Sequence, residues 1–281
     1  MRKMLLALLS MLLCVSLTAC GSETSGNEGN SEGEGRQTLR VGMECNYAPF
    51  NWTDPESNEN NVPISAGGYC DGYDVAIAKK IADSMDMDLE VVKMDWDSLI
   101  EGINNDIIDL VIAGMTATAE RMEVIDFTDP YYESDMTIIV RADSEYANAT
   151  SLEDFSGAKV AGQLSTLYDT VIDQIPGVEH ATAMETYPLL VQALLSGVVD
   201  GVTAETPVGL GNVAANEGKL ALVTFDAGKG FDVDLTDTSV SIGMKKGSEL
   251  MDGVAAALAA ISAEDRQAMM EDAVNRQPAV E

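Results

Sequence analysis

A helix-and-strand unit occurs twice in this 281-residue chain, and it limits the folds available more than any other feature. The segment from Trp96 to Gly114 lies over the segment from Tyr187 to Glu205 without a gap. Trp96 pairs with Tyr187, Leu99 with Leu190, Ile103 with Leu194, Asp109 with Asp200, Val111 with Val202 and Gly114 with Glu205, at a constant offset of 91 positions. Two similar α/β lobes are the simplest reading. In open α/β sheets ligands sit beyond the carboxyl ends of strands, so facing lobes put Gly114 and Glu205 on opposite walls of one cleft.

The first copy runs into a polar turn. Asp109 to Ala113 reads as a short buried strand, and Gly114 lets a ligand or another backbone approach closely. Thr116 to Arg121 then brings two hydroxyls, loop amides and a guanidinium whose fork matches a carboxylate. The plainer alternative is a strand, turn and helix in which Thr118 caps and Arg121 makes a surface ion pair. The repeat favours the first reading, with a cation for a carboxylate on one wall and Glu205 for a cation on the other. A free α-amino acid carries both charges on neighbouring atoms.

Residues 1–19 read as a targeting segment: Arg2 and Lys3, an apolar run from Met4 to Val15, then small residues before Cys20. Gly21 to Gly35 contains only Gly, Ser, Glu, Asn and Thr, so residues 20–36 read as a flexible tether. Strands are predicted at Leu39–Met43, Leu89–Met94, Met136–Val140, Lys159–Ala161, Leu220–Phe225 and Val240–Met244, with strand and turn over Ile125–Tyr132. Asp74 and Asp97 are expected to cap helices. Gln163 to Leu167 forms a polar loop before a helix reaching Gln174, a place that favours an anion. Thr206–Asn216 and two Ala- and Met-rich segments, about 249–261 and 263–275, complete the helices. Phe50 and Trp52 are expected as core plugs.

Charge narrows the function. Sixteen Lys and Arg against 47 Asp and Glu leave −31, which argues against nucleic acid or an anionic membrane surface as partner. A single histidine, His180, argues against a zinc site or a His-based triad, and no metal or cofactor is expected. Cys45 and Cys70 would remain in an extracytoplasmic domain, as a disulfide or as two small buried residues. The Gly209-Leu-Gly-Asn-Val-Ala214 run imitates a dinucleotide fingerprint but follows no strand directly, so it reads as helix packing.

As an ordered set, Tyr-Ala-Pro-Phe50, Gly-Tyr-Asp74, Asp109 to Thr116 with Glu120-Arg121, Ile125 to Tyr132 and Glu205-Thr-Pro207 resemble the bacterial solute-binding proteins of family 3. These deliver polar amino acids to ABC importers. The resemblance runs from about Leu39 to Met244. It implies an α/β, two-lobe periplasmic binding protein-like (type II) fold with two crossing strands as hinge. Lobe 1 would take residues 37–134 and 239–281, and lobe 2 residues 135–238. Leu17-Thr-Ala-Cys20 resembles the bacterial lipobox, which implies acylation of Cys20, palmitate included, and anchoring on the outer side of the cell membrane.

The same resemblance makes Arg121 the carboxylate clamp, aided by Thr116 and by Ser165 and Thr166 from the other lobe. Gly114 would accept from the α-ammonium and Glu205 would ion-pair with it. Tyr47 and Tyr73 would sandwich the ligand side chain, and Glu44 would read its tip. Glu205 stands where the family usually has Asp, and the chain end lacks the usual aromatic-rich closing helix. Glu44, Glu205 and the tyrosines favour a basic ligand, Lys or Arg, although glutamine and cystine binders share the pattern. The expected protein is a monomer that catalyses nothing and works with permease and ATPase subunits. The rival readings are an enzyme on the same fold, of the dehydratase or lytic transglycosylase kind, and an extracytoplasmic amino-acid sensor.

Overall fold

The computed structural model describes residues 36–279. The expectations placed on residues 1–35, namely the signal peptide, lipidated Cys20 and the tether, lie outside them. Chain order begins in the first lobe: β1 (Thr38–Met43), β2 (Asn46–Tyr47), β3 (Asn51–Asp54), β4 (Val62–Pro63), β5 (Tyr69–Asp71), α1 (Tyr73–Ser84), β6 (Asp88–Lys93), α2 (Leu99–Asn104), β7 (Leu110–Val111), α3 (Ala119–Val124) and β8 (Ile125–Glu133). The second lobe follows with β9 (Met136–Arg141), β10 (Lys159–Ala161), α4 (Leu167–Thr170), β11 (Glu179–His180), α5 (Tyr187–Leu195), β12 (Gly201–Glu205), α6 (Thr206–Ala215) and β13 (Leu220–Val223). The chain returns through β14 (Ser239–Lys245) and ends in α7 (Met251–Ala259) and α8 (Ala263–Arg276).

Two five-stranded sheets result, ordered β6-β1-β7-β14-β8 and β11-β10-β12-β9-β13. They are built alike. In each, the strand ending the repeated unit takes the centre, parallel to one neighbour (β1 or β10) and antiparallel to the other (β14 or β9). Central strands covered on both faces are built from mainly apolar residues. Val41, Leu110, Val111, Val160, Val202 and Ala204 are accordingly all fully buried. Helix α1 turns Val75, Ile77, Ala78, Ile81 and Ala82 inward, the spacing of one helical face. Each such Ile or Val contributes roughly 1.5–3 kcal/mol by leaving water.

The repeated aspartates have a structural role. Asp109 Oδ2 accepts from the backbone N–H of Arg40 on β1 at 2.9 Å, and Asp200 Oδ2 accepts from that of Lys159 on β10 at 3.0 Å. An arginine completes each pair, Arg40 on Asp109 at 2.5 Å and Arg141 on Asp200 at 3.2 Å. Each aspartate fastens the central strand to its parallel neighbour just before the run that leads to the cleft.

Three local expectations are corrected. Ile125 to Glu133 is one continuous strand rather than strand and turn. Its Pro130 is tolerated because β8 lies at the sheet edge, opposite register shifts in β14 between Val240 and Gly243. Asp74 does not cap α1; Gly72 holds that position and the Asp74 side chain turns inward. Asp97 does not cap either, since a 3-10 turn at Trp96–Ser98 leads into α2 without a side-chain cap.

The lobes are joined where β8 ends and β14 begins, with Ser239 paired to Glu133 in the antiparallel ladder. At the chain end Arg276 on α8 holds the buried Asp71 at 2.8 Å and lies over the Trp52 ring, 5.6 Å from its centre. That ion pair and stack fix the closing helix in the absence of its own aromatics. In α6, Gly209 and Gly211 admit Leu222 and Gln277 against the helix, so the fingerprint-like run is packing. Cys45 and Cys70 are free thiols, both fully buried.

Candidate functional site

The cleft between the lobes closes on a small cavity of about 20 Å³ lined by Tyr47, Trp96, Gly114, Thr116, Thr118 and Arg121 from lobe 1 and by Gln163, Thr166, Leu167 and Tyr168 from lobe 2. The lobe 1 side is made by the turn after β7. Gly114 has φ +61°, a conformation that suits glycine. A Cβ there would stand 2.7 Å from Tyr47 Cε1, so no larger residue allows this ring to lie on the turn. β14 pins the turn from behind, with Ser241 N–H donating to Met115 O at 2.8 Å.

Thr118 caps α3, its hydroxyl accepting from Arg121 N–H at 3.3 Å. The Arg121 side chain makes no surface ion pair among the described residues. Its guanidinium lies 5.1 Å from the centre of the Trp96 ring, donates through Nη1 to Thr116 O at 3.0 Å, and reaches across the cleft to Ser165 O at 3.3 Å. Burial pulls its pKa below the ordinary guanidinium value, and the nearby Glu120 charge opposes the shift. Two carbonyls and a ring face orient this fork without neutralising it, which leaves the positive charge for an incoming anion.

Glu205 closes β12 on the opposite wall and is fully buried. The Tyr47 hydroxyl donates to its Oε1 across the cleft, and Ser134 Oγ–H donates to Oε2 at 3.2 Å. Burial raises its pKa to about 7, against the lowering effect of these bonds. Tyr47, Tyr168 and Tyr187 surround this region, and burial followed by the Glu205 charge pushes all three phenols up. Glu44, also buried, accepts from Gln163 Nε2 at 3.2 Å, again across the cleft. Desolvation pushes it to about 7 as well.

Of the sequence-derived residues, Tyr47, Gly114, Thr116, Arg121 and Thr166 line the cavity. Glu44 and Glu205 sit behind it, bonded to the cavity residues Gln163 and Tyr47. Ser165 is exposed at the mouth, at φ +60°, and offers its carbonyl rather than its hydroxyl to Arg121. Tyr73 is displaced from its expected place: it is fully buried, donates to Tyr131 O at 2.9 Å and packs edge-on against Phe50, outside the cavity lining.

Besides Tyr47 and Tyr168, the aromatic standing on the cavity is Trp96. Its signal in the sequence is its place as the first residue of the repeat, paired with Tyr187, whose ring packs 4.9 Å from that of Tyr47. Gln163 and Tyr168 carry no signal beyond membership of a polar loop and its helix, so sequence reasoning misses them. The short α4 is a four-residue helix that continues as a 3-10 turn to Gln174. Among the described residues no group of His, Cys, Asp or Glu is placed to hold a metal ion.

Two α/β lobes closing over a polar cavity through paired crossing strands define a two-lobe solute-binding protein. The chain belongs to the bacterial extracellular solute-binding proteins, family 3, whose pattern matches residues 39–273. It is 31% identical over 255 residues to the arginine-binding extracellular protein ArtP of Bacillus subtilis, covering 90% of this chain and 89% of that one. Among solved structures it is similar to the amino acid ABC transporter substrate-binding protein AbpA of Streptococcus pneumoniae bound to L-arginine. That pair has a TM-score of 0.69 at 27% identity over 84% of this chain and 94% of the other. It is also similar to an ancestral arginine-binding protein bound to glutamine, with a TM-score of 0.68 at 29% identity over 86% and 99% of the two chains. These relatives are binding proteins and not enzymes.

Proposed function

We propose that this protein captures a free polar amino acid, with a basic one preferred, and delivers it to the permease and ATPase subunits of an ABC importer. The observation that carries the reading is the placement of a guanidinium and a carboxyl, neither in an ion pair among the described residues, on opposite sides of one cavity: Arg121 lining it from lobe 1 and Glu205 behind Tyr47 from lobe 2. Removing a zwitterion from water costs several kcal/mol per charge, and pairing at both ends recovers it. In this reading the ligand carboxylate docks on Arg121 with the Thr116 and Thr166 hydroxyls beside it. Its ammonium displaces the Tyr47 hydroxyl from Glu205 and meets the Gly114 carbonyl. The side chain runs along Trp96 and Tyr47 toward Glu44.

Neither wall alone satisfies both charges, so binding is coupled to closure, and ligand shifts the population toward the closed form. Glu44 supports a cationic side chain, and the arginine-binding relatives agree with that preference. The family's place outside the cytoplasm fits a lipid anchor at Cys20 and a monomer tethered near its importer. Calorimetry across the common amino acids tests the reading: arginine or lysine is expected to bind most tightly, and binding of neutral amino acids alone would overturn the basic preference. Labelling with radioactive palmitate, lost in Cys20→Ser, tests the anchor.

A further inference from the structure

Beneath the lobe 1 wall a chain of buried polar groups joins two left-handed residues. Gly114 N–H donates to the Tyr131 hydroxyl at 3.0 Å, and that hydroxyl donates to Asp74 Oδ1 at 2.7 Å. Asp74 Oδ2 accepts from Asn51 Nδ2 at 2.7 Å, and Asn51 Oδ1 accepts from Cys45 N–H at 2.6 Å. Asp74 and Asn51 are fully buried and Tyr131 is 1% exposed. The chain's two ends, Cys45 at φ +54° and Gly114 at φ +61°, lie in the left-handed region, which disfavours a residue such as cysteine unless its surroundings hold it there. Cys45 follows Glu44, and Gly114 precedes the turn that carries Thr116.

We infer that Asp74 is a positioning residue of the ligand site: through Tyr131 and Asn51 it holds the Gly114 turn and the Glu44–Cys45 turn at a fixed separation. The inference rests on the proposed amino-acid reading for its effect on binding, though not for its effect on the two turns. The direction of every bond is set by chemistry. Asp74 can only accept while ionised, so both of its neighbours must present donors, and each neighbour then turns its acceptor to a backbone N–H. Asp74→Asn breaks this order, because an amide in place of one carboxylate oxygen confronts the Asn51 amide. Exchanging the two side chains restores it. In the double variant Asp74→Asn/Asn51→Asp, the new carboxylate accepts from Cys45 N–H and from the position 74 amide, whose oxygen still accepts from Tyr131. Net charge and composition are unchanged.

The test uses the whole chain labelled with ¹⁵N-glycine and ¹⁵N-cysteine, with the Gly114 and Cys45 amide resonances followed before and after addition of L-arginine. Asp74→Asn is expected to move both resonances and to weaken arginine binding by roughly tenfold or more, as for loss of a bond to a charged group. The double variant is expected to return both resonances and most of the affinity. Tyr131→Phe serves as a second single change and should move Gly114 while leaving Cys45 in place. A buried carboxylate with only a general stabilising role would be hurt at least as much by two substitutions as by one. A double variant no better than the single, or a Tyr131→Phe spectrum with Gly114 unmoved, overturns the inference. If arginine binds none of these proteins, the resonances alone decide it, and only the ligand reading falls.

Discussion

The two copies of the repeated unit share an aromatic start, apolar helix and strand positions and an aspartate, and they differ in charge at their last residue. Each begins with an aromatic, Trp96 or Tyr187, that returns to the cleft and packs against a polar group there, Arg121 in one case and Tyr47 in the other. Each carries an aspartate that accepts the neighbouring strand's backbone N–H. They part at Gly114 and Glu205. In lobe 1 the unit ends in a turn residue without a side chain, three positions beyond β7, and the charge comes from Arg121 on the following helix. In lobe 2 the strand's last residue is itself the charge, buried and held by the Tyr47 and Ser134 hydroxyls. One scaffold therefore builds a half-exposed cation on one side and a buried anion on the other. Opposite charges need opposite treatment here, since a guanidinium stays ionised under partial burial while a carboxyl can escape the cost by taking a proton.

Arg121→Ala is the hardest test of that asymmetry. It removes the clamp from the half-exposed side and leaves a ligand carboxylate unpaired in the closed cleft. The expected loss of arginine affinity is on the order of a hundredfold or more. Without ligand the melting temperature should hardly move, because Arg121 bonds only to two carbonyls and a ring. Calorimetry and thermal melting with and without arginine check both halves. Equal ligand-induced stabilisation in variant and parent would show that the cation lies elsewhere.

The buried side should respond to pH instead. Glu205 and Glu44, with Asp74 beneath them, all titrate near 7 through burial, well above their ordinary range. A carboxyl whose folded pKa is raised adds stability at pH below its unfolded value, and that contribution is lost as pH rises through the folded value. The ligand-free protein should therefore be favoured by these groups at pH 5 over pH 8. Ligand binding should run the other way, because an ammonium on Glu205 needs the carboxylate. Affinity is expected to fall by up to about tenfold per pH unit below 7, with protons released on binding at pH 7. Glu205→Gln should reduce that release, which calorimetry in buffers of different ionisation enthalpy measures. Proton uptake on binding would reverse the roles given to the two walls.

Much of this architecture is legible in the sequence. A gapless repeat places both central strands, and the Gly114 to Arg121 run names most of the lobe 1 wall. Side-chain direction is not legible. Tyr73 and Asp74 follow a glycine at the start of a helix, where an aromatic suits a cleft and an aspartate suits a cap. Both instead turn inward, because the Tyr131 carbonyl and hydroxyl await them at 2.9 and 2.7 Å from a strand 58 and 57 positions away. Such long-range partners leave no local trace. Trp96 is readable in principle, since its repeat partner Tyr187 already marks the position. Trp96→Ala is expected to weaken arginine binding by an amount set by the cation–π and stacking contact, roughly 0.5–2 kcal/mol. Titration calorimetry beside Tyr187→Ala would show whether the two aromatics remain equivalent in function. A full-strength Trp96→Ala protein would return the side-chain wall to Tyr47 alone.

The smallest effect on binding is expected where the copies still agree. Asp109 and Asp200 lie at the strands' other ends and bond to strand backbone and arginine, not to the cleft. Asp109→Ala and Asp200→Ala should each lower stability by about 1–2 kcal/mol, read from denaturant melts, and leave arginine affinity near the parent value. Asp109 should cost more, since it receives Arg40 through the backbone N–H at 2.9 Å, Nε at 3.0 Å and Nη2 at 2.5 Å. Asp200 receives only Lys159 N–H at 3.0 Å and Arg141 Nη2 at 3.2 Å, one bond fewer, and each arginine also gives its Nη1 to two backbone carbonyls. Partial exposure of both ion pairs, with Arg40 at 35% and Asp109 at 22%, keeps the difference small. An affinity loss in either variant as large as that of Arg121→Ala would mean that fastening the central strand and presenting the cleft residue are one function in each lobe, and the division drawn between shared framework and diverged tip would be wrong.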